Sequence, residues 1–466
     1  MWRVLLLGLV VAACSDPSVP TDAIVEPSDI LAALRALPNV ADATEQATND
    51  AGYHYIVLHF VQPVDHDDPS SATFLQEVSL LHRDLAAPLI VVTDGYWDYT
   101  VDNEAELTQL LQANQVSIEH RFFGTSRPDP ADWTKLTIEQ MADDEHAIVQ
   151  ALAQVYTGPR VASGASKGGM TATFYRRFFP DDVVATVPYV APVMFSSDDE
   201  RFPPFIAAID PGGCHDAIRA LAVDLLANHR AAMETRAMAD AAQNGFAYNR
   251  IAIGPAVESA IEGLEWSFWQ YYGVDECSMI PTPTATDDDL YSFLNEISPV
   301  SSSDDDQCAA FEGWVYQAFF QLGYPDDGTD AYLGPYFMYG AADFAGEFPA
   351  GVAQPAYDGG VAMDDIDGFV EEDAERMLFV YGQWDPWSGG AYTLRGTRDS
   401  LEVQVATGDH GSILSDLALT DEMAAFGKLQ AWTGVSPPGF MRAALPHRPR
   451  ALRPPTVARA LRARLR

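Results

Sequence analysis

Ser163-Gly164-Ala165-Ser166-Lys167-Gly168-Gly169-Met170 is the stretch that most restricts how this chain can fold. It places Gly-x-Ser-x-Gly between Pro159–Ala165, which reads as a short strand, and Thr171–Phe179, which reads as the following helix. A turn that sharp forces Ser166 into strained backbone space. It also requires small residues on both sides, so that strand and helix do not collide. That context makes the motif a nucleophile elbow rather than a chance pattern.

The surrounding texture is that of an α/β chain. Tyr53–Val61 and Thr73–Leu81 alternate apolar and polar residues and read as two antiparallel strands. Pro88–Thr93 is a short continuous apolar run suited to a strand buried on both faces, and Gln115–Glu119, Arg160–Gly164 and Val183–Val190 read as further strands. Glu104–Ala113 and Thr137–Val155 read as helices between them, the second with Thr137 as its cap, and Asp29–Leu37 as a short helix before them. Strands alternating with helices imply right-handed crossovers and a mostly parallel sheet. Residues 195–370 break the alternation with aromatics, Asp runs and helical stretches, and the strand texture returns at Met377–Tyr381 and Leu401–Ala406. An insertion at that point reads as a mainly helical cap above the strand C-termini, where open α/β sheets bind ligands. The expected division is a core in two parts, 29–194 and 371–437, a cap at 195–370, and an Arg/Pro-rich tail at 438–466.

An alkyl hydroxyl needs a base within hydrogen-bond reach and a third group that orients the base. In α/β-hydrolases these follow the serine in the order acid, then histidine. Met377–Tyr381 runs into Gly382-Gln383-Trp384-Asp385-Pro386-Trp387, and Leu401–Ala406 runs into Thr407-Gly408-Asp409-His410-Gly411. Ser166, Asp385 and His410 therefore fall at three strand ends in the required order. Asp409 and Asp416 are alternatives for the acid, and His120, His146 and His215 for the base. The oxyanion donors expected are the backbone N–H of Lys167 and one from Asp94-Gly95-Tyr96, most simply Gly95 or Tyr96. The Lys167 side chain is expected to point to solvent.

These residues carry a resemblance. Tyr55–Asp65 with Thr73–Asp84, Glu119–Pro128, Ser163–Pro192, Glu265–Tyr271 and Phe379–Trp387 resemble the bacterial secreted tripeptidyl (prolyl tri/tetrapeptidyl) aminopeptidases, serine peptidases distantly similar to the lysosomal Pro-Xaa carboxypeptidases. The resemblance spans about 50 to 430 and implies an α/β-hydrolase fold, a helical cap and a triad on Ser166, Asp385 and His410. It further implies release of short peptides from free N-termini, often after proline, without a cofactor. An esterase or other acyl hydrolase using the same triad is the alternative.

Two motifs have two readings each. Glu119 and Arg121 form either a buried pair under the site or, with Glu119 as ligand, part of the substrate pocket. Trp266, Phe268, Trp269, Tyr271 and Tyr272 are either cap core or, through Trp269, a wall for a proline ring with Glu265 holding the substrate ammonium. The Asp runs at 198–199, 287–289 and 304–306 read as solvated loops and helix caps.

Charge and cysteines bound the setting. The formal charge is −40, although Arg442 to Arg466 holds eight Arg and no acid. So acidic a body repels nucleic acid, and no nucleic-acid module is visible. Residues 1–13 read as an export signal ending before Cys14, whose position resembles the bacterial lipoprotein box, and 14–28 as a tether. Any contact with a membrane would be through that lipid; the protein is expected to be exported, as an envelope lipoprotein or secreted. Cys214, Cys277 and Cys308 then allow one bridge and one free thiol, Cys214–Cys277 being preferred, and no metal-ligand spacing is present.

Overall fold

A computed structural model describes residues 27–436, apart from 49, 211–212, 283 and 396–397. The expected signal segment, Cys14, the tether as far as residue 26 and the Arg-rich tail lie outside the described residues; the first helix starts at Pro27, two residues before the expected Asp29.

Nine strands form one sheet: β1 (Val40–Gln46), β2 (His54–Pro63), β3 (Thr73–His82), β4 (Leu89–Thr93), β5 (Asn114–Ile118), β6 (Arg160–Ala165), β7 (Ala185–Tyr189), β8 (Leu378–Gly382) and β9 (Leu401–Val405). Their spatial order is β1-β2-β3-β5-β4-β6-β7-β8-β9. The pairs β1–β2, β2–β3 and β3–β5 are antiparallel and the rest parallel. Every residue of β4, β5, β7 and β8 is buried, which is why β4 reads as an unbroken apolar run, although β5 also buries Asn114, Gln115 and Ser117. Successive side chains still go to opposite faces: Leu89 and Val91 join one apolar layer, Ile90 and Val92 the other. This is the α/β-hydrolase fold.

The order also fixes where a ligand can sit. From β4 the chain moves out to β5, and from β6 it moves the other way to β7. β4 and β6 are therefore neighbours whose connections diverge, and divergence opens a crevice at their C-terminal ends. The loops after β4 and β6 carry Gly95 and Ser166.

Between β7 and β8 the chain is helical. An apolar centre of its own gathers Leu221, Leu225, Val257, Ile261, Phe268, Trp269 and Leu294. A disulfide joins Cys214 to Cys277, and Cys308 is a buried free thiol. Two of the Asp runs cap helices: Thr286 and Asp289 form a capping box, and Asp304 accepts from the Gln307 N–H at 2.8 Å. The insertion is not a single body, however. The helix Val361–Glu372 places Met363, Ile366 and Val370 in the apolar layer of the sheet, beside the helix that follows Ser166. It serves as the crossover helix leading into β8.

Candidate active site

The helix Lys167–Phe178 starts on the residue after Ser166, which is held at φ 56° and ψ −126°. Such backbone costs about 1–3 kcal/mol and persists only where neighbours over-determine it. Here the Ser166 N–H donates to Tyr189 O at 2.9 Å, and Thr93 Oγ1 donates to Gly168 O at 2.6 Å. A Cβ on Gly164 would lie 2.4 Å from Gly168 O, and one on Gly168 only 2.2 Å from Thr93 O. The two glycines of the motif are what let the helix close against β4 and β6.

Asp385 follows β8 in the strand-to-turn segment and is fully buried. Its Oδ1 accepts from the Trp387 N–H at 3.1 Å. Its Oδ2 lies 2.6 Å from His410 Nδ1, across 25 residues of chain. That interval holds the 3₁₀ turn Pro386–Gly390 and β9, and no α-helix among the described residues. The other ring nitrogen, His410 Nε2, is buried and has no hydrogen-bond partner among the described residues. A histidine gripped by a buried carboxylate on one nitrogen and open on the other can take a proton from a hydroxyl presented to it.

Three supports hold this loop. The His410 N–H donates to Gln270 O in the cap at 2.9 Å. Gly382 passes so close to the loop that a Cβ there would lie 2.3 Å from Asp409 O. Beyond it, buried Glu106 accepts from the Leu414 N–H (3.0 Å), the Ser415 N–H (2.9 Å) and Ser415 Oγ (2.7 Å), as well as from Tyr189 Oη at 2.8 Å. Burial raises the Glu106 pKa, against the pull of these donors.

The alternative acids and bases are engaged elsewhere. Asp409 accepts from the Gly411 N–H in its own turn, and Asp416 from the Ile413 N–H. His120 Nδ1 meets Arg121 O at 2.7 Å, and His146 meets Asp182 while stacking on Phe179. His215 lies in the cap beside Glu265.

The loop expected to supply an oxyanion donor touches the elbow. Gly95 has φ +75°, and a Cβ on it would lie 2.6 Å from Gly168 N and 2.7 Å from the Lys167 carbonyl carbon. As first residue of its helix, Lys167 has a backbone N–H with no intrahelical acceptor. Its side chain does not point to solvent as expected. It is buried, donates from Nζ to Gly95 O at 2.5 Å, and lies over the Tyr96 and Phe123 rings.

Glu119 and Arg121 are not paired with each other. Arg121 instead forms a buried, two-pronged pair with Asp144, at 2.6 and 2.8 Å. Glu119 faces inward and accepts from the Thr125, Ser126 and Asp98 N–H groups and the Thr125 and Ser126 hydroxyls. With its oxygens already engaged, it is an anchor for two loops rather than a substrate ligand.

The expected substrate roles of Glu265 and Trp269 also change. Glu265 is buried and held by Arg219 Nε (2.7 Å) and Tyr332 Oη (2.9 Å), with His215 at 3.4 Å. An ammonium would have to displace a guanidinium already in place. Trp269 is fully covered inside the cap, against His215 and Trp384. The rings that do face His410 are Tyr271 (6.1 Å between centroids) and Trp387 (6.2 Å), the latter packed on Trp266. Both lie inside stretches legible in the sequence, but nothing in a linear pattern tells which aromatic turns toward the base.

Fold and site together define a class: an α/β-hydrolase with a serine elbow and an Asp-held histidine on one sheet edge. The chain belongs to the PS-10 peptidase S37 family, which matches residues 24–463. It is 37% identical over 391 residues to the prolyl tri/tetrapeptidyl aminopeptidase of Streptomyces mobaraensis, covering 83% of this chain and 81% of that one. It is 28% identical over 194 residues to the human lysosomal Pro-X carboxypeptidase, covering 34% of this chain and 37% of that one. Among solved structures it is similar to a proline iminopeptidase of Mycobacterium smegmatis, at 15% identity, a TM-score of 0.38 and coverage of 83% and 97%. The protein is a serine peptidase of the aminopeptidase-like kind.

Proposed function

We propose that this protein is an exopeptidase that releases tri- or tetrapeptides from free N-termini, favouring proline at the cut, with Ser166, Asp385 and His410 as its triad. The observation that carries the mechanism is the 2.6 Å contact of Asp385 with His410 Nδ1 while Nε2 is left open. Ser166 Oγ attacks the scissile carbonyl as its proton passes to Nε2. The carbonyl oxygen becomes an anion accepted by the N–H of Lys167 and by that of Gly95 or Tyr96. Collapse breaks the C–N bond, and His410 gives its proton to the departing amine. Water then attacks the acyl carbon as it loses a proton to His410; the bond to Ser166 Oγ breaks, His410 returns that proton to Oγ, and the N-terminal fragment leaves.

The substrate class rests on the likeness to the Streptomyces peptidase, and the Tyr271 and Trp387 rings beside His410 offer a face for a pyrrolidine ring. A fluorophosphonate probe tests the nucleophile: wild type should be labelled and Ser166→Ala should not. Ala-Ala-Pro, Ala-Pro and short acyl-ester chromogens, each free and N-blocked, test the rest. Preference for blocked esters over free Ala-Ala-Pro would make the protein an esterase instead. We also propose export, with Cys14 as first mature residue carrying a lipid; mass spectrometry of the mature N-terminus tests this.

A further inference from the structure

The residue after the nucleophile does more than lend its backbone. Lys167 Nζ donates to Gly95 O at 2.5 Å, bridging the elbow and the loop after β4 from inside the protein. Gly95 and Tyr96 share a trans peptide, in which C=O and N–H point in opposite directions. Holding the Gly95 oxygen toward the buried amine therefore turns the Tyr96 N–H the other way. The plane on the far side of Tyr96 is fixed as well, since Tyr96 O accepts from the His120 N–H at 2.9 Å. Hydrogen bonding at a carbonyl oxygen also strengthens the N–H of the same peptide as a donor.

The amine is confined to this task. Its stem lies buried and its head sits 5.4 Å from the Tyr96 ring centroid and 5.0 Å from that of Phe123. Such ring faces favour a cation. Burial pushes the amine well below the usual lysine range, and the Glu145 carboxyl acts in the opposite direction. The bond to Gly95 O survives in either protonation state, because an amine keeps donors in both.

We infer that the Lys167 side chain is a positioning residue for the oxyanion site: it orients and polarises the Gly95–Tyr96 peptide so that the Tyr96 N–H meets the developing anion. This rests on the serine-hydrolase mechanism proposed above.

Losing one oxyanion donor costs about 10²–10³ in rate, and misaiming one costs a smaller share. Lys167→Met keeps the apolar stem and removes the donor. It should lower kcat on free Ala-Ala-Pro chromogen about 10–100-fold and leave KM within about threefold. A peptide boronate, which places a tetrahedral anion on Ser166, should bind more weakly by the same factor, whereas the product Ala-Ala-Pro should bind as before. A merely structural role would weaken boronate and product alike. Equal weakening, or an unchanged kcat, overturns the inference. Lys167→Gln retains an N–H donor and should fall between wild type and Met with the same split. If neither variant folds, hydrogen exchange on wild type decides: boronate should protect the Tyr96 amide, and no added protection overturns the inference. A wild type that takes neither fluorophosphonate nor boronate at Ser166 refutes the underlying mechanism; a labelled wild type with an indifferent Lys167→Met refutes only the role of Lys167.

Discussion

Asp385→Asn tests the base by its tautomer. Asp385 Oδ1 accepts from the Trp387 N–H, and Oδ2 faces His410 Nδ1. An asparagine has one oxygen and one NH₂ to fill the two places. If its oxygen stays with Trp387, its NH₂ faces Nδ1, which must then accept, so the ring proton moves to Nε2. That nitrogen is no longer a base. If the amide flips, its NH₂ confronts the Trp387 N–H, and leaving that buried donor unpaired costs about 1–3 kcal/mol. The working tautomer is thus a minority form. In addition the imidazolium that forms during attack loses its charged partner, whose hydrogen bond is worth about 1.5–3 kcal/mol. Together these give about 3–5 kcal/mol, a fall of about 10²–10⁴ in kcat. The assay is kcat on the free-amine chromogen, with a thermal melt to show that the variant is folded. A folded Asp385→Asn within about tenfold of wild type would refute this account of the base.

Other perturbations reach the cap and the sheet. Glu265→Gln should cost about 1–3 kcal/mol of stability, because it leaves the Arg219 guanidinium poorly paired at a partly hydrated site; it should also slow free and N-blocked substrates alike, and a loss confined to free amines would restore Glu265 as the ammonium ligand. Replacing Cys214 and Cys277 by Ser opens a loop spanning 63 positions and should lower unfolding stability by about 4 kcal/mol on the chain-entropy account; an unchanged urea midpoint refutes it. Burial, with His54 nearby, pushes the His82 imidazole down to about 4 from 6.5. A depressed base favours the neutral fold, so its contribution is complete above pH 6.5 and is lost as pH falls toward 4, by about 2–3 kcal/mol. His82→Gln should flatten that slope, and a slope unchanged in the variant would assign it to other groups.

The parts of the molecule legible in the sequence are those whose constraint is local. A strand buried on both faces favours apolar residues, so β4 and β8 stand out by themselves. The elbow stands out because sterics demand glycines at fixed offsets from Ser166. β1 does not, since an edge strand with Ala43 as its buried residue has no need of an apolar pattern. Partners chosen in space are equally hidden. Glu119 and Arg121 are two residues apart, yet they bind Ser126 and Asp144 instead of each other. Glu106 anchors Leu414 across 308 positions. Lysine's usual preference for water pointed Lys167 outward, whereas a backbone carbonyl 72 residues earlier holds it inside.

The insertion is joined to the loop that carries His410, the base proposed above. The helix Leu264–Tyr271 has Glu265 in its first turn and ends at Tyr271, so its two ends lie roughly 9 Å apart along the axis. The first end is pinned by Arg219 and Tyr332. The last carbonyls of a helix have no partner within it, and the Gln270 carbonyl takes the His410 N–H. The same helix sets Trp266 on Trp387 and Tyr271 on the His410 ring. Any displacement of this helix must therefore move the imidazole's backbone or break a buried hydrogen bond, which costs about 1–3 kcal/mol. A cap that only screened substrates by size would change KM and leave kcat alone. A cap that also holds the base changes kcat for every substrate, blocked or free, and this is why the loss predicted for Glu265→Gln is shared rather than selective.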